Sequence, residues 1–549
     1  MNRLGAELKK MLHGDVSDDA SVLDTYSHDA SLFEIKPQLV VFPKTAEDVC
    51  QLVKYINEHK AETPDLSLTA RSGGTDMSGG AINESIVLAF EKYFTRIGEI
   101  RNQRVTVEPG VYYRYLEPKT LEQGLIMPSY PASKDLCMMG GIVANDSGGE
   151  KSLVYGKTHD YVEQVKVVLA DGKEHTFVPL SGEALSEKLN EESFEGDLYR
   201  KIHSLLSENF QVVKDAKPNV SKNSTGYNIW DAWDGTTLDM SKLIVGSQGT
   251  LGIVTEATFR LVPARAYSGM MVVMLPSLDK LGEIINAILK VKPSSLESFD
   301  NHTLQFAFRF FYNFHTTLGW KRFILLGLSF FPLLSKLLPF LPHFPKLIML
   351  AEFEGDSQNE IDGKMAELVK SMEPFNATTQ LAMDKSHEEK FWIIRRESFN
   401  LLRKNVKRKH TAPFIDDLIV PPSTLPEFLP KLIEIMERYK LLYTVAGHMG
   451  DGNFHIIPLM DLTDKSERDK IPLIMNEVTD LIKNYGGSLS GEHNDGLIRG
   501  PFLQKMYGDK IVQIFRSVKD IFDPKGIFNP HKKIDADWEF SKSHIRRHF

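Results

Sequence analysis

The pattern of apolar and polar residues in the first part of the chain predicts strands that alternate with helices. Residues 39–43 form a short apolar run of strand length. Thr45 follows as a helix N-cap with acidic residues in the first turn, and the helix is predicted to continue to about Glu58. Residues 162–170 predict another strand, which ends at an Asp-Gly hairpin turn. Strand–helix alternation therefore begins near residue 39.

Glycine-rich stretches interrupt the predicted strands at four places. They are residues 71–80, 140–149, 222–227 and 246–253. Loops of this kind expose successive backbone N–H groups, which can form an anion-binding concavity, and their small side chains let a ligand lie against the backbone. The first of them is neither a dinucleotide fingerprint nor a Walker loop. One such loop could be a plain turn, whereas four together indicate a long, phosphate-bearing ligand.

Two histidines, His448 and His455, bracket a turn of glycine, aspartate and asparagine. The three glycines can fold the backbone so that both imidazoles face one point. Later in the chain, Glu492 and His493 add a carboxylate and a third imidazole. Two imidazoles and a carboxylate are a common set for a divalent transition metal that keeps one position open. The alternative is that the two histidines only flank a strand turn.

Composition narrows the class of protein. A chain of 549 residues with 42% hydrophobic residues has room for roughly two to four domains. A net charge of −8 gives no broad basic surface for nucleic acid. The cysteines, Cys50 and Cys137, exclude a disulfide framework and a four-cysteine iron–sulfur cluster within this chain. This usage fits a reducing cytoplasmic compartment, and residues 1–19 lack the apolar core of a signal peptide.

Taken together, the motifs resemble the FAD-linked oxidases related to vanillyl-alcohol oxidase, and more closely the branch of D-lactate, glycolate and D-2-hydroxyglutarate dehydrogenases. The matching stretches occur in the family order, between about residues 36 and 533. They are residues 71–80, 140–149, 222–227, 246–253, 447–455, 491–493 and 521–530.

The resemblance implies an α+β fold with several parts. An N-terminal segment (residues 1–35) precedes an FAD-binding domain of the p-cresol methylhydroxylase type (PCMH-type; residues 36–263). A cap, or substrate, domain with an antiparallel sheet follows at residues 264–520 and carries an apolar insertion at residues 303–350. Residues 521–549 form a C-terminal segment that returns to the FAD domain.

The resemblance also implies which residues contact FAD. Relatives with covalently bound flavin carry a histidine where this chain has Thr75, so FAD is expected to be non-covalent. Gln248 stands where the family often has glutamate, which leaves the contact of that side chain open. The implied set is Ser72, Gly73, Gly74, Thr75, Asp76 and Ser78 at the pyrophosphate, Gly140, Gly141, Ser147 and Gly149 near the flavin, Ile253 on the adenine side, and Asn529.

The residue that binds the substrate carboxylate follows from the same resemblance, whereas the base and the metal ligands follow from the chemistry of their side chains. An arginine three residues after Trp392 binds the substrate carboxylate in the family, which selects Arg395 over Arg396, since a guanidinium binds a carboxylate in a bidentate manner. The alternative is a solvated helix charge. His493 would be the general base, with a pKa near the working pH. The metal at His448, His455 and Glu492 would be zinc or manganese, with iron left open.

The predicted reaction is the FAD-dependent oxidation of a D-2-hydroxy acid such as D-lactate to the 2-oxo acid, as in D-lactate dehydrogenases and glycolate oxidases. Hydride passes to the flavin, and electrons then leave through a quinone, an iron–sulfur partner protein or a soluble carrier. Ile415 stands where D-2-hydroxyglutarate enzymes place a lysine, which argues against that substrate unless Lys407, Arg408 or Lys409 replaces it. One alternative is an oxidase of an alcohol or sugar acid that uses oxygen. Another is a metallohydrolase, which leaves the glycine loops unexplained.

The composition changes over residues 303–351, where phenylalanines crowd and an uncharged run follows. This run is shorter than the roughly 20 residues that span a bilayer, and prolines interrupt it. It predicts either a buried cap helix or dimer contact, or a membrane-surface patch at residues 319–346 flanked by positive charge. The expected location is cytoplasmic, with peripheral contact to the inner face of the membrane as the alternative.

Overall fold

The computed structural model describes residues 3–300, 345–382, 388, 391–392 and 409–547. Arg395 and residues 303–344 of the apolar insertion lie outside the described residues, and with them most of the proposed membrane patch. No helix in the described ranges is both long enough and apolar enough to cross a bilayer.

The strands are numbered here in chain order. They are β1 (Asp15–Ser17), β2 (Leu39–Phe42), β3 (Leu68–Arg71), β4 (Ile86–Ala89), β5 (Arg104–Val107), β6 (Leu125–Ile126), β7 (Val162–Val168), β8 (Glu174–Phe177), β9 (Leu180–Ser181), β10 (Thr237–Leu238), β11 (Ile253–Arg260), β12 (Val262–Pro263), β13 (Tyr267–Leu275), β14 (Ser295–Asp300), β15 (Leu347–Gly355), β16 (Thr378–Ala382), β17 (His410–Thr411), β18 (Asp416–Ile419), β19 (Leu442–His448) and β20 (Asn453–Met460).

The α-helices of the described residues occur in both halves of the chain. They are Arg3–Met11, Ala20–Thr25, Ala46–His59, Tyr113–Leu121, Met139–Asn145, Ser152–Tyr155, Gly182–Asn190, Phe194–Glu208, Phe210–Asp215, Ser241–Ile244, Leu281–Lys290, Gln358–Met372, Leu425–Arg438, Lys465–Asn484, Gly496–Arg499, Leu503–Phe522 and Trp538–Ser543.

Two four-stranded sheets organise the first half of the chain. In the first sheet β2, β4 and β3 are parallel and β1 is antiparallel to β2 at one edge. The second sheet is antiparallel, in the order β5-β11-β7-β8. Helix Ala46–His59 buries Val49 and Val53 in one core with Leu39 of β2. The predicted strand at residues 39–43 and the predicted helix after Thr45 are confirmed, with Thr45 as the cap.

One large antiparallel sheet organises the second half. Its strand order is β16-β13-β15-β14-β19-β20-β17, and β18 also pairs with β20. Successive side chains of a strand point to opposite faces. Along β20, Phe454 and Ile456 lie in the hydrophobic core with the helices, whereas His455 and Ile457 line a cavity on the other face. Helices and an antiparallel sheet together confirm the predicted α+β class.

The end of the chain packs on the first sheet. Leu68 of β3 donates a backbone hydrogen bond to the carbonyl of Ile527 (2.8 Å) and accepts one from the amide of Asn529 (2.8 Å). Ile527 and Phe528 are fully buried in the core of that sheet. The division into domains at residues 36, 264 and 521 stays a prediction.

Candidate active site

One cavity of about 820 Å³ connects the glycine loops of the first half to the histidines of the second. This volume lies in the upper part of the range of ligand pockets, about 300–1,000 Å³. Both halves of the chain contribute to its wall. The lining residues include Ser72, Gly73, Gly74, Thr75, Asp76, Gly140, Gly141, Ser147 and Gln248 from the first half, and Asp416, Thr444, Ala446, His455, Ile457, Glu492 and His493 from the second.

The first glycine loop suits an anionic ligand. No described residue accepts a hydrogen bond from the backbone amides of residues 73–75, which line the cavity. Asp76 fixes the loop from behind, because its carboxylate accepts hydrogen bonds from the amides of Ser78 (3.0 Å) and Gly80 (2.6 Å). Free amides in a fixed loop form an anion-binding concavity.

The second glycine stretch leaves room beside the cavity. A Cβ added to Gly141 would meet nothing closer than the Cβ of Ser72, at 4.0 Å, so a side chain there would project into the cavity. At Gly140 an added Cβ would instead clash with Pro109 and Ser72 at 2.5 Å. The sequence had suggested a loop throughout this stretch. Part of it is instead the helix Met139–Asn145. These residues fit a planar ring system that lies against the backbone.

Three imidazoles converge on one oxygen of Glu492. The Nε2 atoms of His448, His455 and His493 lie 3.2, 3.4 and 3.7 Å from Glu492 Oε1. The rings of His455 and His493 are stacked, with centroids 4.9 Å apart. The structure therefore brings together the four residues that the sequence analysis singled out.

The pairing of the large sheet explains how these imidazoles are oriented. Glu297 of β14 stands opposite His448 of β19, and Asp416 of β18 stands opposite His455 of β20. Glu297 Oε1 lies 2.5 Å from Nδ1 of His448, and the two oxygens of Asp416 lie 3.1 and 2.8 Å from Nδ1 of His455 and His493. An ionised carboxylate only accepts, so each Nδ1 carries a hydrogen. Each Nε2 also faces the carboxylate of Glu492, so its lone pair becomes available to a metal only when that nitrogen has lost its proton.

Asp417 and Asn453 hold the backbone behind the cluster. Asp417 Oδ2 accepts hydrogen bonds from the amides of Glu492 (2.9 Å) and His493 (2.6 Å) and from the hydroxyl of Ser490 (2.6 Å). Asn453 is fully buried and donates to Asp417 Oδ1 (3.0 Å) and to the carbonyl of Leu418 (3.1 Å). Through these two hydrogen bonds Asn453 of β20 joins its strand to β18.

The donor set fits a divalent cation. Among the described residues, the buried carboxylates of Glu297, Asp416, Asp417, Asp451 and Glu492 outnumber the cations that act on them, Lys222 and Arg499. Asp417, His455, Glu492 and His493 also offer ligand atoms within 4.8 Å of one another. We favour His448 over Asp417, because the oxygens of Asp417 already accept several hydrogen bonds and Nε2 of His448 faces Glu492 directly.

The same charges shift the pKa values of the cluster. Burial disfavours the charged imidazole, but hydrogen bonds to Asp416 and Glu492 outweigh it and raise the pKa of His455 to about 10. Burial also opposes the charged form of Glu492, yet Lys222 and His448 hold the pKa of that carboxyl well below its usual range. A metal ion that binds His455 must therefore displace a proton.

Several residues of the implied FAD set do not line the cavity. Ser78, Gly149, Ile253 and Asn529 lie behind the wall. The side-chain amide of Asn529 accepts a hydrogen bond from the hydroxyl of Thr69 (2.7 Å) and donates to two backbone carbonyls. Ile253 packs in the core of the first sheet. Their contacts with FAD stay predictions, as does the role of Arg395, which lies outside the described residues.

Other residues reach the site without a clear signal in the sequence. Arg71 is buried, lines the cavity and packs under Gly74. The ammonium of Lys222 lies 3.2 Å from Glu492 Oε2 and 3.6 Å from Asp451 Oδ2. Both lie inside motifs quoted above, but a motif alone does not tell which side chain turns inward.

Comparison with known proteins agrees with this geometry. The model of the family described as "FAD linked oxidases, C-terminal domain" matches residues 265–533, and the model described as "FAD binding domain" matches residues 37–177. A D-2-hydroxyglutarate dehydrogenase of Pseudomonas putida is 26% identical over 94% of this chain and 50% of its own length. The chain thus spans about half the length of that relative. A D-lactate dehydrogenase of Archaeoglobus fulgidus is 25% identical over 90% of this chain and 91% of its own.

Among solved structures, p-cresol methylhydroxylase with substrate bound matches 98% of this chain and 97% of its own, with a TM-score of 0.65 and 16% identity. At this identity the match shows the fold, and it confirms the predicted PCMH-type architecture. An FAD-binding domain joined to this second half defines a flavoprotein. The chain belongs to the FAD-linked oxidases.

Proposed function

We propose that this chain oxidises a D-2-hydroxy acid, such as D-lactate, to the 2-oxo acid, with FAD as the electron acceptor. The observation that carries the proposal is the single cavity in which the glycine loops and the His–Glu cluster face each other. The names of the relatives, D-lactate and D-2-hydroxyglutarate dehydrogenase, support this class of substrate. The electron acceptor that re-oxidises the flavin is proposed to be a quinone, an iron–sulfur partner protein or a soluble carrier.

FAD, when bound, would take the hydride from carbon 2 of the substrate. The backbone amides of residues 73–75 would bind its diphosphate, and Gly141 would leave space for the flavin ring. Walls from both halves would partly shield a bound ligand from water, which strengthens the electrostatic interactions around it.

His448, His455 and Glu492 would hold a divalent metal, which would lower the pKa of the substrate hydroxyl. Glu297 and Asp416 keep the imidazoles in the tautomer that presents Nε2, and Lys222 holds the far oxygen of Glu492. In the proposal Arg395 binds the substrate carboxylate.

His493 would accept the proton of the substrate hydroxyl at Nε2. It is the most exposed imidazole of the cluster, with 20% of its side chain accessible against 3% for His448, and it lines the cavity where His448 does not. Burial lowers the pKa of His493, but Asp416 and Asp417 outweigh it and raise that pKa, which strengthens the imidazole as a base.

An anaerobic screen of D- and L-2-hydroxy acids tests the proposal. We expect one or more D-acids to bleach the flavin absorbance, whereas the L-enantiomers leave it unchanged. Slow re-oxidation in air after bleaching supports a dehydrogenase, and fast re-oxidation favours the oxidase alternative. A flavin that no 2-hydroxy acid reduces would rule the proposal out.

The base role has a separate test. His493→Gln should retain flavin and metal and lose about 10²–10⁴-fold in turnover, the usual contribution of a general base. His531→Gln serves as the control, because the imidazole of His531 stacks on Phe540 and is not part of the cluster. Near-native turnover in the His493 variant would remove it as the base.

A further inference from the structure

A carboxylate of the N-terminal segment faces the cofactor cavity. Asp29 lies between helix Ala20–Thr25 and strand β2, is only 9% exposed and lines the same cavity as the first glycine loop. The next residue ties the segment to that loop, because the amide of Ala30 donates to the carbonyl of Asp76 (2.9 Å). The segment is thus a fixed part of the cavity wall.

Among the described residues, one oxygen of this carboxylate has a hydrogen-bond partner and the other has none. Asp29 Oδ1 accepts a hydrogen bond from the amide of Ser31 (2.9 Å). Asp29 Oδ2 is buried and has no hydrogen-bond partner among the described residues. Burial and the nearby Asp76 raise the pKa of Asp29 to about 7, which reflects how poorly the site satisfies the carboxylate.

The surroundings of Asp29 indicate which ligand group can reach it. Arg71 and the free amides of residues 73–75 line the neighbouring wall and suit a diphosphate. A carboxylate repels phosphate, so Oδ2 requires a neutral donor beside it. In FAD the groups on either side of the diphosphate are the ribityl chain and the adenosine ribose, and both carry hydroxyls.

We propose that Asp29 is a cofactor-binding residue whose Oδ2 accepts a hydrogen bond from a sugar hydroxyl of FAD next to the diphosphate. Acidic side chains bind ribose hydroxyls in the same chemical manner in dinucleotide-binding folds. The hydroxyl would give the buried Oδ2 the donor that it lacks. Removal of either partner from such a buried hydrogen bond leaves the other unsatisfied, which weakens binding.

Flavin release from the full-length holoprotein tests the proposal. On dilution, free FAD regains fluorescence, and the rise gives its dissociation constant. Asp29→Ala should bind FAD at least about tenfold more weakly, in line with the loss of a hydrogen bond to a buried acceptor. Asp29→Asn keeps an oxygen for the Ser31 amide, and its N–H can donate to the oxygen of the same sugar hydroxyl, so we expect a smaller loss of affinity than in Asp29→Ala.

Thr25→Ala is the control in the same segment. The hydroxyl of Thr25 donates to the carbonyl of Ser21 (2.8 Å) and does not line the cavity, so the FAD dissociation constant should stay within about twofold of the wild type. Circular dichroism of each variant checks the fold. An unchanged dissociation constant in a folded Asp29→Ala protein would overturn the proposal.

An FAD analogue that lacks the two hydroxyls of the adenosine ribose identifies the sugar. Deflavinated full-length protein is titrated with FAD and with the analogue. If Asp29 binds the ribose, the difference between wild type and Asp29→Ala disappears with the analogue. If it binds the ribityl chain, the difference persists.

Discussion

At the scale of single residues, carboxylates control the imidazoles of the cluster. Each Nδ1 faces Glu297 or Asp416, and each Nε2 faces Glu492. A ring that donates from one nitrogen to a carboxylate is fixed in orientation and is a more basic ligand at the other nitrogen. The residues behind the cluster would therefore also affect its affinity for the proposed metal.

Glu297 provides a direct test of this control. Glu297→Leu should lower metal affinity by about 10–100-fold, the usual effect of losing the partner of a metal-binding histidine. Glu297→Gln retains an oxygen acceptor for Nδ1 of His448 and should lose less. Competition with a chelator, followed by elemental analysis, measures both. Equal affinity in wild type and Glu297→Leu would mean that Nδ1 of His448 needs no partner.

His175, far from the cavity, links the pH to the stability of the first half. It lies between Asp171 (3.0 Å) and Glu195 (3.2 Å). Burial disfavours its charge, but the hydrogen bonds to these two carboxylates raise its pKa to about 9. Because the folded pKa lies above the ordinary value, the stabilisation is fully present below about pH 6.5 and is lost as the pH rises through about 9.

We therefore expect the free energy of unfolding to fall between pH 7 and pH 10 by more in the wild type than in His175→Gln. The difference should be on the order of 1–2 kcal/mol, since the ring is not fully shielded from solvent. Urea denaturation at both pH values measures it. An identical pH dependence in the two proteins would show that this ion-paired histidine does not contribute.

At the scale of elements, one helix shows how a local sequence motif, its N-terminal cap, contributes to the stability of the protein. Thr45 and Asp48 form a reciprocal capping box at the start of helix Ala46–His59. Thr45→Ala should therefore destabilise the protein by about 1 kcal/mol. Ser181 is the N-cap of helix Gly182–Asn190 but makes no side-chain cap bond, so Ser181→Ala should have a smaller effect. Urea denaturation measures the free energy of unfolding of both variants. An equal decrease in the two would contradict a contribution from the capping box.

Local signals of this kind made the helix after Thr45, the strand at β2 and the glycine loops predictable from sequence. They did not reveal Glu297, which acts on His448 from 151 residues away, or Asp416, 39 residues before His455. These pairs arise from the register of β14, β18, β19 and β20. The apolar–polar pattern of a strand does not indicate which distant strand it pairs with. The carboxylates behind the cluster could therefore not be predicted from the sequence.

At the scale of the whole molecule, two halves share one cavity, and the cofactor is expected to be held there without a covalent bond. Thr75 stands in the first loop where a flavin-linking histidine would be expected. Cys137 also lines the cavity, but burial raises the pKa of its thiol to about 12, which leaves it protonated and unreactive.

Acid precipitation of the purified protein distinguishes the two kinds of attachment. We expect the yellow flavin to appear in the supernatant, because unfolding releases a ligand held only by non-covalent contacts. Treating the supernatant with phosphodiesterase should then raise the fluorescence as FAD is cleaved to FMN. Colour that stays with the pellet would show a covalent link.

The pairing of Leu68 with residues 527–529 has a consequence for synthesis. The strand that leads into the first glycine loop obtains its edge partner from a segment translated about 460 residues later, and Thr69 and Asn529 are 460 residues apart. A nascent chain still attached to the ribosome before residue 520 therefore lacks the support beneath that loop. Stalled chains of this length should emerge colourless, and flavin loading should follow release of the finished polypeptide.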